Sequence, residues 1–163
     1  MMEPPPLTTP IWVDALNLGY WCGPPPSLRV PLTALQGLLE QGRRAILVFD
    51  ASAVHQFLEA ERGLYAELLQ ASDCCLQVPS GTSADIFLLE AAKADGGVVI
   101  SRDRFREHRR RFRSIVHAAQ RRMDGFVAED HLHIERLQLR QPLPPSAAQA
   151  WEQLQACCSN PKP

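Results

Sequence analysis

Lysine is almost missing from this 163-residue chain, which has two lysines among 17 basic residues. Positive charge is therefore carried by arginine, whose planar fork of donors suits phosphate, although coding bias alone would also produce the choice. A formal net charge of −1 excludes a global polycation, so attraction for nucleic acid has to come from how charge is distributed. No apolar run approaches bilayer length, and Met1-Met2-Glu3-Pro4-Pro5-Pro6 lacks the basic region and apolar stretch of a signal peptide. The expectation is a cytoplasmic protein with no membrane partner. No C-x-x-C occurs, which argues against structural zinc. The five cysteines are odd in number, and Cys74-Cys75 and Cys157-Cys158 are adjacent pairs that could hardly bridge each other. A secreted disulfide framework is thereby excluded, and Cys75 reads as a strand core residue. The absence of G-x-G-x-x-G after any strand argues against a dinucleotide enzyme.

What is present fits one globular domain with a real core: 45% hydrophobic and 21% charged residues. Residues 1–10 form a proline-rich lead-in expected to be flexible, 11–140 the body, and 141–163 a proline-flanked helix and tail. Ile11-Trp12-Val13, Ala45–Phe49, Cys74–Val78 and Val98–Ile100 read as short buried strands, with Gly125–Ala128 a weaker last one. Helical spacing marks Pro31–Gln41, Ala53–Glu61, Leu64–Ala71 (separated from it by Gly63), Ala84–Ala94, about 104–120, and Ala147–Cys158. The Tyr20–Pro26 stretch, with three consecutive prolines, must be a loop; its aromatics either lid the core or stack on bases. His131 and His133 alternate as along an exposed strand edge, and carry no convincing metal pattern. Strands alternating with helices predict an α/β fold, a three-layer α/β/α sandwich around a mainly parallel sheet.

Ligands of such folds collect beyond the carboxyl ends of the strands. Asp14, Asp50 and Asp103 lie at or just past those ends, and Asp85 opens a helix that follows a strand. Each has a dull alternative: Asp14 as a turn residue, Asp85 as part of a Thr82–Asp85 capping box. Carboxylates gathered without thiolate or paired imidazole favour a hard cation, Mg2+ or Mn2+. Nine arginines fall between Arg102 and Arg122, opposed only by Asp103 and Glu107, on what spacing predicts to be a helix. That helix would hold a polyanion by phosphate contacts, or else present a solvated charged face with Glu107 paired to Arg111.

Three motifs resemble the NYN domains of the PIN-like metal-dependent nucleases, and among them the Regnase-type ribonucleases. They are Val13-Asp14-Ala15-Leu16-Asn17, Asp85-Ile86-Phe87, and Asp95-Gly96-Gly97-Val98-Val99-Ile100-Ser101-Arg102-Asp103-Arg104-Phe105. The resemblance spans about Ile11 to Val127, with Gly23 to Val78 matched only in outline. It implies a PIN-like (Rossmannoid) fold and a metal-dependent endoribonuclease acting on single-stranded RNA through metal-activated water, leaving a 5′-phosphate and a 3′-hydroxyl. It also implies Asp14, Asp85 and Asp103 as metal ligands, Asn17 as a residue orienting Asp14 or the ion, and Glu107 as a fourth acid, glutamate where aspartate is more usual. Asp50 has no firm counterpart in the Regnase branch. Arg102, Arg106, Arg109, Arg110 and Arg113 are candidates for the RNA backbone. No CCCH zinc finger follows. Two rivals stay open: a catalytically silent RNA-binding or protein-interaction module on the same fold, and a phosphatase using Asp50, for which Ser52 stands where a second acid is wanted. A homodimer, or an inhibitor partner of the toxin–antitoxin kind, also stays open.

Overall fold

The computed structural model describes residues 3–159, so Met1, Met2 and residues 160–163 of the lead-in and tail lie outside the described residues. Five strands form a parallel sheet: β1 (Ile11–Asp14), β2 (Ala45–Phe49), β3 (Cys75–Gln77), β4 (Val98–Ile100) and β5 (Arg122–Met123), in the order β3-β2-β1-β4-β5. β1 is central, with Val13 opposite Leu47 on one side and Ile100 on the other. The chain winds outward from β1 through β2 to β3, then returns to place β4 on β1's other side. The switch in direction opens a crevice between the carboxyl ends of β1 and β4, where open α/β sheets bind ligands.

Among the described residues, seven α-helices complete the main body: α1 (Ala15–Gly19), α2 (Arg29–Glu40), α3 (Ala53–Gln56), α4 (Glu59–Ala71), α5 (Ala84–Asp95), α6 (Arg113–Val116) and α7 (Ala147–Ser159). The two-residue period of a strand sorts the core into two clusters. Ile11, Val13, Leu47, Phe49 and Ile100 pack against Leu18, Leu32, Leu35, Leu38, Tyr65 and Trp151 from α1, α2, α4 and α7. Val48 and Val99, on the opposite face, pack against Leu88, Leu89 and Ala92 of α5, together with Phe105, Phe112 and Ile115. This is the expected α/β/α sandwich. All five cysteines are free thiols, and Cys75 is buried in the sheet core. Among the described residues no helix is long and apolar enough to cross a membrane. Pro5 and Pro6 accept bonds from the Arg43 guanidinium through their carbonyls, at 3.1 and 3.2 Å.

Four segments depart from the sequence-based expectation. Residues 104–120 are not one helix. Phe105 sits at φ 49°, its N–H donates to Asp103 Oδ1 at 2.8 Å, and only a 3-10 turn (Arg106–His108) and the one-turn α6 follow. The buried Phe105, Phe112, Ile115 and Val116 mimic helical periodicity, but a tightly wound loop satisfies it. Farther on, β5 is a two-residue strand with too little apolar character to announce itself. Gly63 lies inside α4, and the break falls instead at Phe57 and Leu58, whose extended ψ angles of 151° and 144° end α3 and start α4.

The fourth departure is a second sheet. β6 (Phe126–Ala128) does not extend the main sheet; it pairs antiparallel with β7 (His131–Ile134), which pairs with β8 (Leu139–Pro142). Glu129 and Asp130, at φ 53° and 57°, make the two-residue hairpin turn between the first two. His131 and His133 therefore lie on a central strand rather than at an edge.

Phe105 and Phe112 are 2% and 1% exposed and pin the arginine-rich loop onto α5. Phe105→Ala is expected to lower unfolding free energy by about 3–5 kcal/mol, checked by urea denaturation, because the wound loop cannot close over the cavity left behind.

Candidate active site

The first acid belongs to β1 itself. Asp14 is the strand's last residue, paired in register with Val48, and is only 7% exposed. It is buried because both faces of β1 are covered. Burial is the main reason its carboxyl is pushed up from 3.8 to about 7; the nearby Asp85 and Asp103 push the same way. Opposing them, Ser101 Oγ donates to Asp14 Oδ2 at 2.8 Å, and the backbone amide of Asn17 also favours the charged form.

Ser101, fully buried just past β4, joins two acids. Its hydroxyl donates to Asp14 and accepts from the Asp103 N–H at 3.0 Å. Asp103 then accepts from Phe105 N–H through Oδ1, an Asx-type turn that sets the loop's direction. Sequence reasoning quoted Ser101 within the Asp95–Phe105 motif but gave it no role of its own. Its signal was the buried hydroxyl between Val98-Val99-Ile100 and Asp103, a polar group that must find a partner. Ser101→Ala is expected to cost about 10- to 100-fold in activity, as for residues that orient an acidic ligand, with little change in KM, measured by steady-state cleavage.

Asp85 lies one residue nearer the start of α5 than a Thr82–Asp85 capping box requires. Ser83 is the cap, accepting from Ile86 N–H at 3.4 Å, so Asp85 has no capping duty. Half-buried in the first turn, its carboxyl is raised by burial first and then by Asp103, with Asp50 and Glu107 adding to the repulsion and His108 opposing it. Asn17 engages neighbours other than the Asp14 side chain: Oδ1 accepts from Trp21 Nε1 and from the Arg102 N–H, both at 3.0 Å. It thereby fastens α1 to the loop after β4.

Two adjoining hollows share Asp85 and Asp103. One, of about 370 Å³, is walled by Asp14, Asn17, Tyr20, Asp50 and Ser52; the other, of about 560 Å³, by Arg102, Arg104, Arg106, Glu107 and His108. The structure thus brings together all five predicted acids, Asp14, Asp50, Asp85, Asp103 and Glu107, with Arg102 and Arg106. Arg109 and Arg110 on the same loop, and Arg113 at the start of α6, are exposed but do not line either hollow. Arg104 and His108, which the sequence reading did not single out, do. Glu107 is not the partner of Arg111, whose guanidinium instead meets Glu90 and lies over the Phe112 ring. Asp50 Oδ1 accepts from both the N–H and the hydroxyl of Ser52, at 3.0 and 2.9 Å, and so is engaged in a turn. Of the two loop aromatics, Trp21 is buried and Tyr20 is exposed at the rim, its hydroxyl donating to Gln56 Oε1.

Neighbouring acids disfavour ionisation of Asp14 and of Asp85, a repulsion that a bound cation would relieve. All the acids offer hard oxygen donors, which fits Mg2+ or Mn2+ rather than zinc. Among the described residues, no three acidic, imidazole or thiol side chains stand close enough together to chelate an ion as placed.

Residues 8–140 match the family model described as the Zc3h12a-like ribonuclease NYN domain. The chain belongs to this family. Membership supports an RNA-cleaving nuclease, and the matched span contains every acid described above. No curated protein sequence matches the chain. Among solved structures, this NYN domain is similar to two of a nuclear protein-only RNase P, PRORP2 of Arabidopsis thaliana. They have TM-scores of 0.63 and 0.59 at 18% and 15% identity, and each match covers 82% of this chain. The likeness shows the shared α/β fold. The chain spans 30% of the length of that protein.

Proposed function

We propose that this NYN domain is a divalent-cation-dependent endoribonuclease that hydrolyses single-stranded RNA. The observation that carries the reading is the convergence of Asp14, Asp85 and Asp103 on one hollow at the carboxyl edge of the sheet, in a chain of a ribonuclease family. Asp14, Asp85 and Asp103 would hold Mg2+ or Mn2+. When bound, the ion neutralises the acids, makes water a stronger nucleophile and stabilises charge on the phosphoryl oxygens.

The remaining work falls to the chain's own residues. Ser101 holds Asp14 and the Asp103 backbone in a fixed relation, and Asn17 keeps α1 and the loop after β4 in register. Arg102, Arg104 and Arg106 contact phosphates around the scissile bond, with Arg109, Arg110 and Arg113 farther along the polyanion. Glu107 orients the attacking water at the rim. The water oxygen bonds to phosphorus, the P–O3′ bond breaks, and its electron pair leaves on O3′, which takes up a proton. The products carry a 5′-phosphate and a 3′-hydroxyl. Tyr20, exposed beside the acids, offers a ring on which an unpaired base stacks, which favours single strands over duplex.

Incubation of end-labelled single-stranded RNA with the protein tests this reading. Cleavage is expected with Mn2+ or Mg2+ and none with EDTA. Tight RNA binding without cation-dependent cleavage would instead establish a silent binding module.

A further inference from the structure

The small sheet has a face that the fold does not use. Cross-strand partners share a face, and Leu132 and Ile134 point into the main core. On the other side, Phe126 stands opposite His133, Ala128 opposite His131, and His133 opposite Arg140. Phe126 is 39% exposed, a large ring left in water, and it lies flat on the His133 imidazole with centroids 4.7 Å apart and planes 12° apart. The His131 ring follows 6.3 Å from His133, and Arg140 is exposed beside them.

This ladder is fastened to the acid hollow. Arg102, which lines the hollow, donates from Nε to the carbonyl of Gly125, the residue before Phe126, at 3.0 Å. The Arg102 guanidinium also lies 4.6 Å over the Trp21 ring. Gly125 fits because it has no side chain: a Cβ there would come within 2.3 Å of the His133 carbonyl oxygen and 2.9 Å of Trp21. The sheet is thus held tightly to Arg102 and Trp21 through Gly125, the residue that leads into the strand bearing Phe126.

We propose that Phe126, His133, His131 and Arg140 form a stacking platform for unpaired bases of the RNA flanking the cleaved bond. Flat rings and a guanidinium are the chemistry that single-stranded RNA recognises without regard to sequence, with bases stacking on the rings and phosphate meeting the cation. A protein partner would call for a contiguous apolar patch, and this face offers one large apolar side chain among polar ones. The acidic turn Glu129-Asp130 bounds the platform, so the RNA crosses the strands rather than rounding the hairpin tip. The platform rests on the ribonuclease reading of the hollow.

The test compares unpaired RNAs of about 5 and about 16 nucleotides, the shorter spanning the hollow alone. Phe126→Ala and His133→Ala are expected to raise KM for the longer substrate by about 10-fold each, leaving kcat and the shorter substrate unchanged. Phe126→Trp, which keeps a stacking ring, is expected to restore KM, a result that simple unfolding would not give. Equal KM for wild type and Phe126→Ala on the longer RNA, with cleavage intact, overturns the platform. If the wild type cleaves neither RNA, the ribonuclease reading fails. The platform is then decided by fluorescence anisotropy with the longer RNA: binding weakened by Phe126→Ala supports it, and unchanged or absent binding overturns it.

Discussion

Asp14→Asn and Asp103→Asn are each expected to lower the rate of RNA cleavage by about 10³-fold or more, equivalent to about 4 kcal/mol of lost transition-state stabilisation. Both substitutions keep side-chain volume and a carbonyl oxygen. The amide at position 14 can still accept from Ser101, and the one at position 103 can still accept from Phe105 N–H. What disappears is negative charge at the point where four acids, Asp14, Asp50, Asp85 and Asp103, face one hollow. A loss of activity with the fold retained therefore reports the charge itself. Arg109→Ala, on the same loop but outside the hollow, is expected to weaken binding in a salt-dependent way and to leave kcat close to wild type. Single-turnover cleavage with RNA in a titrated concentration series separates these effects.

In the absence of divalent cation, the protein is expected to lose stability as pH rises from about 4 through about 7. Asp14 ionises at 3.8 when unfolded and at about 7 when folded, chiefly because the folded chain buries it. Between those values the unfolded chain releases a proton that the folded chain keeps, so higher pH favours unfolding. The favourable contribution is complete below 3.8 and lost once pH passes about 7. A difference of about 3 pH units corresponds to an order of 4 kcal/mol. Asp85, raised in the same direction, adds to the slope. Two consequences are measurable by thermal denaturation. Asp14→Asn is expected to be more stable than wild type at pH 8 with EDTA, although it is inactive. Mn2+ is expected to raise the wild-type Tm more at pH 8 than at pH 5, because it binds the folded carboxylates in the form that pH 8 favours.

The middle of the sheet was legible because β1, β2 and β4 are almost wholly apolar runs, and their carboxyl ends are marked by Asp14, Asp50 and Ser101. The positions of Asp14, Asp85 and Asp103 followed from the same logic, since strand ends in a parallel sheet share one edge. The loop after Asp103 was not legible. Phe105, Phe112, Ile115 and Val116 fall on helical spacing, and only the positive φ at Phe105 and the Asp103 bond to its N–H show why the chain winds differently. That difference decides which arginines face the hollow: Arg104 rather than Arg109, Arg110 or Arg113. β5 escaped notice because Arg122-Met123 lacks apolar periodicity, and its pairing depends on β4 being already in place. The second sheet was hidden for a related reason. Phe126–Ala128 looks like a strand in isolation, but pairing it with His131–Ile134 requires knowing that Glu129 and Asp130 both take the left-handed conformation.

The most direct test is cleavage of one labelled single-stranded RNA by wild type and Asp103→Asn purified in parallel, each with Mn2+ and with EDTA, and with the ends of the products identified. The expected result is cutting by wild type with Mn2+ alone, leaving 5′-phosphate and 3′-hydroxyl ends, and no cutting in the other three reactions. Equal cutting by Asp103→Asn, or cutting by wild type that persists in EDTA, would contradict the assignment of the acid hollow as the cation-dependent cleavage site.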